Sequence, residues 1–175
     1  MKRSGRYFAL LLALLVFAAS ALSCEKVANE ILPGADGAQR LDFDTEDVEG
    51  NPVSMATFGS CKVVMVNFWE EWCPPCISEI PDLEDLYRKY SGNGFIILGV
   101  YSQSDREKVL SAAADLGITY PIIPTNASFR PYSTQYVPTT VFFNGAGERI
   151  DPETYVGAKS YGEWESIIVS LLNAQ

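Results

Sequence analysis

The chain has 175 residues, 47% of them hydrophobic and 20% charged, which suits one globular domain with a sizeable core. Its formal charge of −9 would repel nucleic-acid phosphates and argues against a nucleic-acid partner; it suits a solvated surface or basic partners. With four cysteines and no histidine, the chain lacks the usual Cys/His ligand set of a closed zinc site.

The N-terminus differs in kind from the rest. Lys2, Arg3 and Arg6 form a positive start, and the uncharged run that follows is mostly Leu, Ala, Val and Phe. Residues 1–23 therefore read as a secretory signal with a basic region and an apolar region. The run ends in "SALSC", which resembles a bacterial lipobox, where the signal is cut before a cysteine that is then lipid-modified, here Cys24. Ordinary cleavage nearby and an uncleaved anchor are the alternatives, although the run is short for a span of about 20 residues. All three place the domain outside the cytoplasm. Loss of residues 1–23 would remove three positive charges and no negative ones, taking the formal charge to −12. Residues 24–40 contain "LPGADGAQ" and read as a tether, leaving residues 41–175 as the folded domain.

Next, Leu41 and Phe43 alternate with acids, and Gly50-Asn51 offers a turn, so a short hairpin is expected. "VVMVNF" is apolar at nearly every position and β-branched, as in a strand buried on both faces; "FIILGVY" is similar. Between them Cys76, Ile77, Ile80, Leu83, Leu86, Tyr87 and Tyr90 recur at helical spacing, giving a right-handed βαβ unit. A second helix is predicted over residues 105–116, with Asp105 at its start and Gly117 at its end. The strand "YPIIP" follows, then a polar stretch with Phe129, Tyr132 and Tyr136 that suits a helical turn. "TTVFFNGAGERIDPETYVG" reads as a hairpin, and a last helix over residues 161–172 buries Trp164, Ile167, Ile168 and Leu171. The expected fold is α/β, a central mixed sheet with helices on both faces and an N-terminal hairpin.

The chemistry centres on "NFWEEWCPPCISEIP", residues 67–81. A metal site is a poor reading, because Cys73 and Cys76 have only Cys61 and Cys24 as further thiols. A structural staple is also weak, since so small a loop removes little entropy from the unfolded chain. Redox work fits the local features. Cys73 follows the strand and stands at the helix start, where the dipole and free N–H groups stabilise a thiolate. Pro74 and Pro75 occupy positions where helices tolerate proline and stiffen the loop. Cys73 is then the attacking thiol and Cys76, one turn in, the resolving one. Glu79, three residues on, shares the helix face with Cys76 and could take and return its proton; a plain surface glutamate is the alternative. Glu70 and Glu71 read as solvated rim residues, opposing thiolate formation if close to Cys73.

Residues 63–81 resemble the active-site region of the thioredoxin superfamily, and "YVPTTVFFN" resembles its second signature. Within it, the chain is similar to the TlpA/ResA-like branch of extracytoplasmic thiol-disulfide oxidoreductases, through the signal, the hairpin, "NFW..WCPPC" and the extra segment before "VPTT". The resemblance implies a thioredoxin-like fold, a cis Pro138, and a substrate groove flanked by Val137 and Thr139. Trp69 and Trp72 would frame the sulfurs, Trp69 from the core and Trp72 from the rim, with Trp72, Pro74 and Pro75 facing substrate. It also implies Glu79 as assistant to the buried thiol and Pro81 as the helix-kinking proline. No cofactor beyond the dithiol and no metal is implied. Cysteine-containing proteins would be the substrates, apocytochrome c maturation among the settings, with a membrane electron donor upstream and a periplasm-facing lipid anchor. Asn67 stands where classical thioredoxins have a buried aspartate, and Cys61 where many relatives have glycine. The direction of electron flow leans toward reduction. Two alternatives stand beside it: a surface lipoprotein using the fold as a binding module, and a hydroperoxide reductase, whose Pro-x-x-x-Thr-x-x-Cys signature is not found in the chain.

Overall fold

The structure is a computed structural model that describes residues 40–175; the expected signal over residues 1–23, Cys24 and nearly all of the 24–40 tether lie outside the described residues. The chain opens with an antiparallel hairpin, β1 (Asp44–Glu46) and β2 (Pro52–Ser54), in the register Thr45 opposite Val53. Its turn is held by the Asp47 carboxylate, which accepts from the Glu49 and Asn51 amides, and Gly50 takes the left-handed conformation there at φ +91°.

The main sheet runs in the order β5-β4-β3-β6-β7. Its centre is β3 (Val63–Phe68), buried at every position, as a β-branched apolar run requires. β4 (Phe95–Tyr101) lies parallel to it, and β5 (Ile122–Pro124) parallel to β4. β6 (Thr139–Phe143) pairs antiparallel on the other side of β3, with Asn67 opposite Thr140 and Phe68 opposite Thr139. β7 (Tyr155–Val156) closes that edge. The expected C-terminal hairpin is thus present, but its second strand is only two residues long. The Asn144–Gly147 turn comes first, and an irregular segment then leads into β7.

Three α-helices follow the predicted spans closely: α1 (Pro74–Tyr90), α2 (Arg106–Leu116) and α3 (Tyr161–Ala174). Asp105 stands at the N-cap of α2, and Gly117 ends it in the left-handed conformation at φ +68°. Ser160 and Glu163 form a capping box at the start of α3.

All three α-helices bury side chains in the same core. Cys76, Ile80, Leu83 and Leu86 of α1, Val109 and Ala113 of α2, and Trp164 and Ile168 of α3 meet Met65 and Trp69 there. On the opposite face Val64, Val66 and Phe68 pack with Leu41, Phe43, Val53, Phe58 and Phe129. Helical cover is therefore present on both faces but unequal. Among the described residues, the second face has only the hairpin and two short 3-10 helices, Met55–Phe58 and Ala127–Phe129. The handedness of the crossovers explains this, because two successive right-handed βαβ steps in one direction leave both helices on the same side.

Candidate active site

β3 delivers the chain to the sheet end, and the turn after Trp69 leads into α1. Cys73 is the N-cap of α1, in extended conformation, and its sulfur accepts from the Cys76 amide at 3.3 Å. Pro74 and Pro75 follow in the first helical positions, where the missing N–H groups would have had no partner. Cys73 and Cys76 are joined as a disulfide with Cα atoms 5.3 Å apart. Cys76 is wholly buried and Cys73 is 3% exposed, so Cys73 is the outer sulfur. Trp69 is buried beneath the site, and Trp72 stands out at the rim with 53% of its surface exposed.

The Val137-Pro138 peptide is cis. The Val137 carbonyl oxygen lies 3.5 Å from the Cys73 sulfur, placed to accept a hydrogen bond from the thiol in the reduced protein. Val137 is half-buried and Tyr136 beside it is exposed. The expectation that Thr139 flanks a groove needs correcting. Its side chain is fully buried, its hydroxyl donates to the Tyr136 carbonyl at 2.7 Å, and its backbone sits in the ladder between Phe68 and Val156. The accessible part of this loop therefore ends at Val137.

Glu79 is not a surface glutamate. It is 2% exposed, one turn along α1 from Cys76. Asn67 Nδ2 donates to its Oε1 at 3.2 Å, while the Lys159 amide and Trp164 Nε1 each donate to Oε2 at 3.1 Å. Burial pushes the Glu79 carboxyl above the ordinary carboxylate range, and the donors from Trp164, Lys159 and Asn67 work against that rise. A buried carboxyl whose proton affinity is raised in this way can exchange a proton. Asn67 also donates to Thr140 Oγ1 at 3.0 Å. Lys159 and Trp164 are parts of the site that the sequence reading missed as partners of Glu79. They come 80 and 85 residues later, and Trp164 was legible only as a core residue.

Glu70 also departs from expectation. It is 1% exposed and not a rim residue. Its Oε1 accepts from the Ser102 amide at 2.8 Å, the Ser102 hydroxyl at 2.9 Å and the Gln103 amide at 2.9 Å. Its Oε2 accepts from the Ser104 amide at 3.0 Å and from the Ser104 hydroxyl, which also contacts Glu71. Cys61 is half-buried at the far end of β3, and burial pushes its thiol up, away from thiolate.

The AhpC/TSA family model matches residues 37–147. The chain is 31% identical over 120 residues to the thiol-disulfide oxidoreductase ResA of Halalkalibacterium halodurans, covering 67% of this chain and 68% of that protein. It is 32% identical to ResA of Oceanobacillus iheyensis, over 79% of this chain and 73% of the relative. Among solved structures it resembles a thiol:disulfide interchange protein of the thioredoxin family from Chlorobium tepidum TLS. That match has a TM-score of 0.70 and 26% identity, covering 77% of this chain and 96% of the other.

Proposed function

From a chain that belongs to the AhpC/TSA family, and is a TlpA/ResA-like thiol-disulfide oxidoreductase of the thioredoxin superfamily, we propose an extracytoplasmic reductant of protein disulfides, lipid-anchored through Cys24. The observation that bears most of this reading is the buried Glu79 carboxyl, one turn from the inner sulfur and raised toward a useful proton affinity.

In the proposed cycle the Cys73 thiolate attacks one sulfur of a substrate disulfide. The substrate's other sulfur leaves as a thiolate, and a Cys73–substrate mixed disulfide remains. Glu79 then takes the Cys76 proton, and the Cys76 sulfur attacks the Cys73 sulfur. The second substrate sulfur leaves, and the Cys73–Cys76 disulfide closes. Two electrons have passed to the substrate, whose two thiolates end as thiols. A membrane dithiol donor restores the pair by the reverse exchange. The protein itself needs no cofactor and no metal.

Substrate would dock as an extended segment along Val137, whose carbonyl, set beside Cys73 by the cis bond to Pro138, fixes the approach. Trp72 and Tyr136, both exposed, would give that segment an apolar rim, with Pro74 and Pro75 forming the near wall. The signal over residues 1–23 and the lipobox at Cys24 support the anchor, and cytochrome c maturation is one setting such a reductant would serve.

The test is the reduction potential of the Cys73–Cys76 pair, read by equilibration against graded thiol buffers. A value near about −270 mV supports the reductant, whereas one near about −120 mV makes the protein a disulfide donor. Cys24→Ser should release the protein from membranes, and Cys76→Ser should trap substrates in complexes that dissolve in reductant.

A further inference from the structure

Glu70 has no part in the cycle above, yet it is the most heavily hydrogen-bonded carboxylate near the sulfurs. Five donors from residues 102–104 converge on its two oxygens, three of them backbone amides. No Lys or Arg forms an ion pair with it among the described residues. Burial of an uncompensated carboxylate is costly, so a chain that keeps one has supplied donors to hold the charge. The same residue is tied to the reacting loop from the other side. Its backbone carbonyl accepts from the Cys73 amide at 3.1 Å. Side chain and main chain of one residue thus pin the Cys73 turn to the segment that leads into α2.

The sign of the charge matters as much as the grip. Cys73 stands at a helix N-terminus, which favours its thiolate. A fixed negative charge three residues away, in water-poor surroundings, opposes it. A less stable thiolate means a less stable reduced protein, and so a stronger reductant. Glu71, the other acid in this turn, contacts the Ser104 hydroxyl but is only half-buried, and so is more screened.

We propose that Glu70 is a positioning residue that clamps the Cys73 turn to residues 102–104 and, through its fixed charge, holds the dithiol–disulfide balance toward the disulfide. The role rests on the redox reading above.

The test uses the exchange of the protein disulfide with two glutathiones to give protein dithiol and glutathione disulfide, measured on the full chain. In Glu70→Gln the charge is gone, and the equilibrium constant for this exchange should rise about tenfold, with a lower Cys73 thiol pKa by thiolate absorbance. The pair Ser102→Ala with Ser104→Ala removes two hydroxyl donors and keeps the charge, now less compensated. It should move both readouts the opposite way. If Glu70→Gln lowers the melting temperature while leaving the constant and the pKa unchanged, Glu70 is merely structural and the proposal is overturned. Should Glu70→Gln not fold, the double serine variant decides: a constant that is unchanged or raised overturns the proposal. A wild-type pair that forms no disulfide in any glutathione buffer defeats the redox reading itself, a different failure from equal constants in wild type and variant.

Discussion

Two buried glutamates flank the disulfide, and they are built for opposite ends. Glu70 meets five donors, three of them amides that cannot rotate away or change protonation. Glu79 meets three, two of them side chains, and burial raises its carboxyl pKa. Both are nearly inaccessible, so burial alone does not tell their work. The number and rigidity of the donors does. A carboxylate gripped by three backbone amides serves as a clamp. One with fewer donors can take a proton without orphaning many partners, and can serve as a carrier.

The largest expected break in this comparison is on the Glu79 side. Trp164→Ala removes a Glu79 donor and empties a core position shared with Phe142 and Tyr155, and should cost about 3–5 kcal/mol in chemical denaturation. Glu79→Gln should keep the fold but slow resolution of the mixed disulfide by about a hundredfold near neutral pH. Stopped-flow trapping should show the Cys73 adduct accumulating while the first attack keeps its rate. Glu70→Ala should destabilise by about 1–3 kcal/mol, because it leaves three backbone amides of residues 102–104 without their charged acceptor. Hydrogen exchange at those amides should rise in step.

The smallest effect is in pH. The folded pKa of Glu79 is raised, so the stability its neutral form brings is complete below the ordinary carboxylate pKa and is lost as pH rises through the folded value. Glu79→Gln has no such loss. Denaturation midpoints of wild type and variant should therefore diverge in the variant's favour as pH rises from about 4 to 8. Parallel midpoints would mean that Glu79 is not the titrating group.

Much of this site was legible in the sequence because its signals are local. Residues 63–68 announce a buried strand by composition, and Cys73-Pro74-Pro75-Cys76 announces a helix start by capping and proline placement. Pro138 was expected to be cis only through the family resemblance, as X-Pro bonds default to trans. The rest depends on partners far along the chain. A glutamate reads as exposed until residues 102–104 fold over it, and nothing in "EEW" tells which of its two acids will be covered. Thr139 looked accessible beside the cis-proline, yet the ladder claims its backbone and the loop its hydroxyl. Likewise, the tryptophan that holds Glu79 could be seen as an apolar residue of α3, but not as a hydrogen-bond donor across the core.

One latch lies at the other end of the sheet. The Leu41 amide donates to the Gly147 carbonyl at 2.9 Å, and Arg40 pairs with Glu148. Gly147 takes φ +77°, and a Cβ there would fall 2.1 Å from the Leu41 carbonyl oxygen, so no other residue fits this contact. This turn follows the end of β6 that pairs with Val64, whereas Thr139 at the start of β6 pairs with Phe68, near the sulfurs. Any mechanical load on the chain before Arg40 therefore enters the domain opposite its working end. Such a load would peel Leu41 from the turn first and reach the Cys73 loop last.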